Sequence, residues 1–469
     1  MNFAESRFWT VLISGLAVVL ILRGLLWPWL CRGDRIAVYD KAALTGLGLY
    51  LLLKVSWLTF AIFITVAVVS YVGLWWILKL DLGHRRRLLF VLIPLQLLPL
   101  LYYKYSNFVL NQVLGLDFST LRDLAIPVGI SFYTFQKVAF VVDTLGFRKP
   151  MPRFLDYLAF AGFFPQVVAG PIERREGLLP QMEQFRFRWD PAALNEGAGW
   201  IALGLFFKCC LGDNIASYFI GAWRTNPFSI WLDNLTFGLR LYYDFAGYSL
   251  VALGLARCVG VQLTLNFLSP YCSTSMVEFW RRWHVSLSQW FRDYLYIPMG
   301  GGRSRFWMFN LAVVFVVSGI WHGAGWGFIV WGAIHAAALI GNRLLGPKVP
   351  LPRFVGWVAT LGVAFAAWLA FYETDPVALL EKTRTLLTPG RYTLAALRET
   401  LHHWPAGDRF VLACFLLLAG VTLWVEWRSV AVMDRAYAHL RRPWVSCVLV
   451  ILTVLLAATR NNAFIYFAF

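Results

Sequence analysis

Residues 266–335 read NFLSPYCSTSMVEFWRRWHVSLSQWFRDYLYIPMGGGRSRFWMFNLAVVFVVSGIWHGAGWGFIVWGAIH. The first half packs Glu278, Arg281, Arg282, Arg292 and Asp293 into sixteen residues. Such density excludes a lipid-facing span, because each charge at the centre of a bilayer helix costs about 2.5–3.5 kcal/mol. The same stretch is rich in Phe279, Trp280, Trp283, Leu287, Trp290 and Phe291. Helical spacing puts Trp280, His284, Leu287 and Phe291 on one face and makes Glu278 and Arg282 an i,i+4 pair on another. The expectation is a helix at the membrane interface or in a funnel wall, where its arginines anchor it or meet an anionic group. The Gly300–Arg305 turn lacks GK[ST] and a preceding strand, so it reads as a basic loop and not as a P-loop. Phe306 to Ile320 is then almost wholly apolar and ends in Trp321-His322-Gly323. An ionisable residue inside a membrane segment marks a functional site by default. Gly319, Gly323, Gly325 and Gly327 around it allow close helix approach or leave space for a substrate chain. His335 reads as a buried histidine bonded to a backbone carbonyl.

The rest of the chain supplies the setting. Of 469 residues, 59% are hydrophobic and 14% charged, with a mean hydropathy of +0.62. Soluble domains carry about 25% charged residues. Roughly eleven stretches approach the ~20 apolar residues of a membrane helix. The fold expected is all-α and polytopic, one membrane domain over 1–469 with its motif-bearing centre at about 120–345. The net charge of +17 fits basic cytoplasmic loops, so the partner is the lipid bilayer and not nucleic acid. The first run, Phe8 to Leu30, is too long for the core of a signal peptide and reads as the first membrane helix. Arg32 and Arg35 follow it. The run Ala42–Leu80 reads as two helices broken near Lys54, and His84-Arg85-Arg86-Arg87 comes next, which places both basic clusters on the cytoplasmic side. Seven cysteines show no CxxC or metal-ligand spacing, so buried inert thiols are expected and no metal site.

Two further segments stand out. In Tyr242-Tyr243-Asp244-Phe245-Ala246-Gly247-Tyr248, a carboxylate among aromatics needs a partner, and Arg281, Arg282 or a histidine are the candidates. In the excursion at about 373–408, Asp375-Pro376 reads as an N-cap with proline at the first helical position. Leu379, Leu380, Leu386 and Leu387 then suit a short amphipathic helix, Pro389-Gly390 ends it, and a second piece runs from Thr393 to His402. These pieces are too short and too polar to span, so an interfacial excursion is expected, lying at the membrane face where it either packs on the core or receives a partner.

Several motifs occur together: Pro127–Tyr133 (PVGISFY), Phe164-Pro165-Gln166 with Ala169-Gly170-Pro171, Asp244–Ser249 (DFAGYS), Glu278–Ser288 (EFWRRWHVSLS) with Arg292-Asp293-Tyr294, and Trp321-His322-Gly323. In this order they resemble the membrane-bound O-acyltransferase family, in particular its bacterial polysaccharide branch and its alginate-acetylating members above all. The ending Phe464–Phe467 has the same likeness. The resemblance implies re-entrant and interfacial helices around a central funnel. It carries the family's essential histidine onto His322 and a second, motif-embedded histidine onto His284. Arg281, Arg282, Asp244, Tyr248 and Trp321 become candidates for substrate or donor binding, with Arg281 and Arg282 on donor phosphates or a carboxylate. It implies an O-acetyltransferase of the bacterial cytoplasmic membrane with no bound cofactor and acetyl-CoA as donor substrate. A periplasmic or extracellular acetyltransferase partner would deliver the group to a polysaccharide acceptor such as alginate, cellulose or peptidoglycan. Two departures are visible: Leu250 follows Gly-Tyr-Ser where an acidic residue is frequent, and Gly301-Gly302-Arg303 lacks an asparagine. The rival readings are D-alanyl transfer to teichoic acid and a transporter or flippase of a lipid-linked sugar. The latter suits broken helices and buried charge, but no repeat relates two halves of the chain.

Overall fold

The computed structural model describes residues 3–458 other than 32, 81, 122–123, 147–148, 169 and 347–350. Arg32, Ala169 and the Phe464–Phe467 ending lie outside the described residues, as do the side chains of 82–86. Among the described residues every regular element is helical and no strand occurs. Eight helices are long and apolar enough to cross a membrane, and two shorter apolar ones accompany them. Among the described residues, length and hydropathy thus support these helices and do not confirm the expected eleven. Many large side chains left exposed are apolar, Phe90 at 80% and Phe410 at 71% among them. Water would penalise that surface and lipid does not. This is a multi-pass α-helical membrane protein.

The chain divides into two compact units, Met1–Ile201 with Val251–Thr264, and Ala202–Leu250 with Leu265–Phe469. The first contains α1 (Ser6–Leu25), α2 (Arg35–Val55), α3 (Trp57–Ile77), α4 (Leu82–Leu100) and α5 (Ile130–Gly146). The expected break near Lys54 falls at Ser56, which is extended and whose Oγ accepts from the Thr59 N–H at 3.4 Å, capping α3. Two ion pairs within the unit offset the cost of burying charge: Arg23 with Asp40 at 2.7 Å, and Lys41 with Asp156. The glycine of the Pro127-Val128-Gly129 break is needed. Its φ is +75°, and a Cβ there would sit 2.8 Å from the Val168 carbonyl oxygen.

The second unit holds most of α6 (Pro227–Cys258), then α7 (Met276–Arg282), α8 (Val285–Phe291), α9 (Trp307–His322), α10 (Trp326–Leu345), α11 (Arg353–Tyr372), α12 (Pro376–Leu386), α13 (Leu394–His402), α14 (Ala406–Met433) and α15 (Pro443–Leu456). α9 and α10 pack backbone against backbone. A Cβ on Gly319 would lie 2.1 Å from the Phe328 carbonyl oxygen, and one on Gly332 would lie 2.3 Å from that of Phe315. The position beside Gly323 is filled by the Phe328 ring, 2.0 Å from where its Cβ would be. Gly319 and Gly323 near His322 thus serve close approach.

Candidate active site

The charged stretch is not one helix. Ser275 caps α7, its Oγ accepting from the Glu278 N–H at 3.1 Å. Glu278 reaches back to the Thr274 N–H at 2.8 Å and forward to Arg282 at 2.9 Å, as the spacing predicts. The helix then stops. Trp283 is extended, and His284 is left-handed at φ 45°. Periodicity had placed His284 on a continuous face with Trp280 and Leu287. The structure breaks that face because residues 266–269 pair with the turn: the Leu268 N–H donates to the Arg282 carbonyl at 2.9 Å, and the Val285 N–H donates to the Asn266 carbonyl at 2.8 Å. A non-glycine residue held left-handed costs of order 1–3 kcal/mol and tends to sit at functional sites.

Asn266 decides how His284 is presented. Its Oδ1 accepts from the Ser286 N–H at 3.2 Å and the Ser286 hydroxyl at 2.9 Å, and lies 3.2 Å from His284 Nδ1. A backbone N–H can only donate, so the oxygen must face this group, which assigns the proton of His284 to Nδ1. Nε2 is left as the lone-pair nitrogen. Asn266→Leu is expected to lower kcat about 10–100-fold, the range for losing a group that orients an imidazole, with KM little changed; steady-state kinetics on the purified variant checks it.

Burial pushes the His284 imidazole down to about 3 from its ordinary 6.5. It is therefore neutral at physiological pH. A base whose folded pKa lies below its unfolded one adds stability above the unfolded value and loses it as pH falls. Thermal stability should fall as pH drops from 6.5 toward 3, by up to about 1.4 kcal/mol per pH unit. The slope should flatten in His284→Gln, as a melting series across pH would show.

His322 is the last residue of α9 and is 2% exposed. Its ring centroid lies 5.1 Å from Trp331, 5.2 Å from Phe371 and 6.5 Å from His284. Trp321 closes the box, 5.9 Å from the His284 ring. His335 is also buried, but its partner is a side chain: Trp280 Nε1–H donates to its Nδ1 at 3.3 Å. The carbonyl expected for it is replaced by an indole, which ties α7 to α10.

Two cavities flank α7. One of about 440 Å³ is walled by Trp280, Val314, Phe315 and Leu339, carries Arg281, Ser288, Gln289 and Arg292, and extends to Ser318, one helical turn before His322. The other, about 580 Å³, is lined by Glu278, Arg281, Arg282 and Asp434 among others. Arg281 borders both. Arg282 is held by Glu278 and by the Leu268 carbonyl at 3.0 Å, which makes it an organiser of the turn.

The ion pair that Asp244 makes is with a lysine that the sequence reading did not name. Asp244 lies 2.8 Å from Lys208, which also binds Asp213 at 2.7 Å, and all three side chains are 2% exposed. Lys208 sits in a π-helical turn, Phe206–Gly212, a form common at functional sites. The two backbones approach because Gly247 has no side chain: a Cβ there would lie 2.8 Å from the Lys208 backbone nitrogen. Asp244 thus belongs to a buried ionic cluster with Lys208 and Asp213. Tyr248, one turn on, is 1% exposed in the same helix.

Residues that sequence reasoning passed over complete the surroundings. The Tyr242 hydroxyl donates to Glu426 at 2.6 Å and lies 3.0 Å from the Tyr437 hydroxyl, which accepts from the Ser269 N–H at 3.5 Å. This network anchors the segment that carries Asn266. Lys208 and Glu426 were findable as ionisable residues within apolar runs; Asn266 left no such signal. Among the described residues, no group of three or more His, Cys, Asp or Glu is placed to hold a metal ion.

These features define a polytopic helical membrane protein with a buried two-histidine centre walled by aromatics. The chain belongs to the MBOAT, membrane-bound O-acyltransferase, family, whose profile matches residues 47–374. It is 33% identical over 310 residues to the peptidoglycan O-acetyltransferase of Helicobacter pylori, covering 58% of this chain and 59% of that protein. It is 35% identical over 314 residues to a Pseudomonas aeruginosa protein named "Probable alginate O-acetylase AlgI", covering 64% and 60%. With the teichoic acid D-alanyltransferase of Bacillus subtilis it shares 30% identity over 235 residues, 45% of this chain and 58% of that one. The chain spans about three fifths of the length of the first two of these relatives.

Proposed function

We propose that the protein is an O-acetyltransferase of the bacterial cytoplasmic membrane. It moves an acetyl group from a cytoplasmic thioester, acetyl-CoA, toward an extracytoplasmic polysaccharide through a second protein. One observation carries this reading: His322 and His284 share one aromatic-walled centre, their rings 6.5 Å apart. The cavity that ends at Ser318 supports it, since its apolar wall suits the donor's thioester arm and Arg281 at its rim suits the donor's phosphates. His322 takes the proton of the attacking hydroxyl as that oxygen adds to the thioester carbonyl. The C–S bond then breaks, and His322 returns the proton to the departing thiolate. Such a positioned base contributes about 10²–10⁴-fold. His284, neutral and fixed as the Nδ1–H tautomer, orients or stabilises the reacting groups. The likeness to a D-alanyltransferase supports a second reading, in which the donor is a D-alanyl thioester on a carrier protein.

The test offers radiolabelled acetyl-CoA, and separately a D-alanyl carrier, to the purified protein in vesicles with a hydroxyl acceptor. Consumption of acetyl-CoA with label on the acceptor is expected. Turnover of the D-alanyl carrier alone would move the assignment to the second reading. Turnover of neither, with sugar–lipid movement across the vesicle wall, would replace both with transport.

A further inference from the structure

The excursion between α11 and α14 forms the two short helices expected of it. Asp375 accepts from the Val377 N–H at 3.0 Å, and Thr393 accepts from the Ala396 N–H at 3.1 Å. Its amphipathicity, however, is inverted. The faces turned to the protein are small and polar: Ala378, Lys382, Thr385 and Thr400 are each at most 5% exposed. They are held by hydrogen bonds. Lys382 donates to Glu373 at 2.7 Å and to the Gly221 carbonyl. Thr385 donates to the Arg224 carbonyl at 2.6 Å. Asn226 donates to the Ala396 carbonyl at 2.8 Å, and the Ser229 and Thr400 hydroxyls meet at 2.6 Å. The outward faces are apolar, from Leu380 at 50% exposed to Leu387 at 77%, with Val377, Leu394 and Leu401 between. Each helix repeats one pattern. Exposed Arg384 falls at helical spacing among Val377, Leu380 and Leu387, and exposed Arg398 falls between Leu394 and Leu401.

Three observations say what covers these faces. Both flanking helices, Arg353–Tyr372 and Ala406–Met433, are candidate membrane spans, so the excursion starts and ends at a bilayer face. Aromatic groups gather at its rim: Trp231 Nε1–H donates to the Tyr392 hydroxyl at 3.2 Å, Trp223 packs on His403 at 4.7 Å, and Tyr218 packs on Trp404 at 6.1 Å. Such groups concentrate at the headgroup level. Finally, residues 373–408 hold five acidic and four basic side chains, whereas the stretches around the far ends of the two spans, 343–353 and 434–442, hold Arg343, Lys348 and Arg353, and Arg435, Arg441 and Arg442 against a single acid, Asp434. The positive-inside rule then puts the excursion on the extracytoplasmic side.

We propose that residues 376–402 form a strap that lies in the outer leaflet. Its leucines enter the acyl region, Arg384 and Arg398 reach up to lipid phosphates, and its polar faces clip it to residues 221–229. Apolar burial and not net charge holds it there, because the segment is nearly neutral. The chemistry is that of a phospholipid surface and would be met by any lipid with a phosphate headgroup.

The experiment uses the full-length protein with Cys31, Cys414 and Cys447, the exposed cysteines, replaced by serine. Leu380→Cys, Leu387→Cys and Leu394→Cys are each spin-labelled in vesicles of phosphatidylcholine, then of phosphatidylcholine with phosphatidylglycerol. Collisions with oxygen should dominate those with a water-soluble nickel complex at all three sites, at depths of about 5–10 Å below the phosphates. The depths should be unchanged between the two lipid mixtures. Arg384→Glu with Arg398→Glu should move the labels toward water without loss of folded protein. Nickel access equal to oxygen access would mean a solvent or partner face, and protection from both probes would mean burial against a second copy. Either result overturns the proposal.

Discussion

His322→Ala is expected to abolish acetyl transfer while the protein inserts and accumulates normally. The loss should be about 10²–10⁴-fold or greater, the range for a positioned base, which corresponds to about 2.7–5.4 kcal/mol of transition-state stabilisation. The imidazole is packed on Trp331 and Phe371, so part of any defect in the alanine variant could come from the void. His322→Gln fills most of that volume, keeps a polar group and lacks a basic nitrogen. Both variants should be inactive with melting temperatures near the parent's. Transfer retained by His322→Gln would remove His322 from the chemistry. His284→Gln should be milder, because the glutamine oxygen can still accept a hydrogen bond.

Lys208→Met should be the most damaging single change to folding. It would leave Asp213 and Asp244, both 2% exposed, without the cation between them. Breaking a buried ion pair from one side costs about 3–5 kcal/mol, much of the 5–15 kcal/mol that holds a typical domain together. Little folded protein should be recovered from the membrane. Adding Asp213→Asn and Asp244→Asn to Lys208→Met should restore most of it, since an all-neutral cluster carries no uncompensated charge. Yield and melting temperature of the single and triple variants decide the point. A triple variant as poor as the single one would show that Lys208 does more than neutralise its neighbours. Recovery of folding without activity would give the cluster a role in the reaction as well.

The two histidines illustrate how far local pattern carries. His322 was legible because an ionisable side chain ending an apolar run is costly in lipid wherever the run folds. His284 was legible as a candidate, but its geometry was not. Period-3.6 spacing argues for a continuous helix, and it is the long-range pairing of residues 266–269 that breaks the helix there. Asp244 shows the same division. That a carboxylate among aromatics must find a cation follows from burial alone. That it meets Lys208 follows from two backbones brought together at Gly247.

The excursion adds a case in which pattern was right about helices and silent about direction. Caps at Asp375 and Thr393 are local events, settled within three residues, and both form. Which face of the helix points inward depends on what the rest of the unit offers. Here it offers carbonyls and hydroxyls from residues 221–229, so the leucines turn out.

By itself, then, the sequence determined the solvent in which this protein folds, its all-helical architecture, the cap at Asp375, and the place of His322 at the end of an apolar run. These follow from transfer energies and local backbone preferences that act over a few residues. Tertiary structure decided the left-handed turn and tautomer of His284, the ionic partner of Asp244, the network of Tyr242, Tyr437 and Glu426, and the outward face of the strap. Each depends on which distant groups arrive within hydrogen-bonding distance, and spacing along the chain does not encode that.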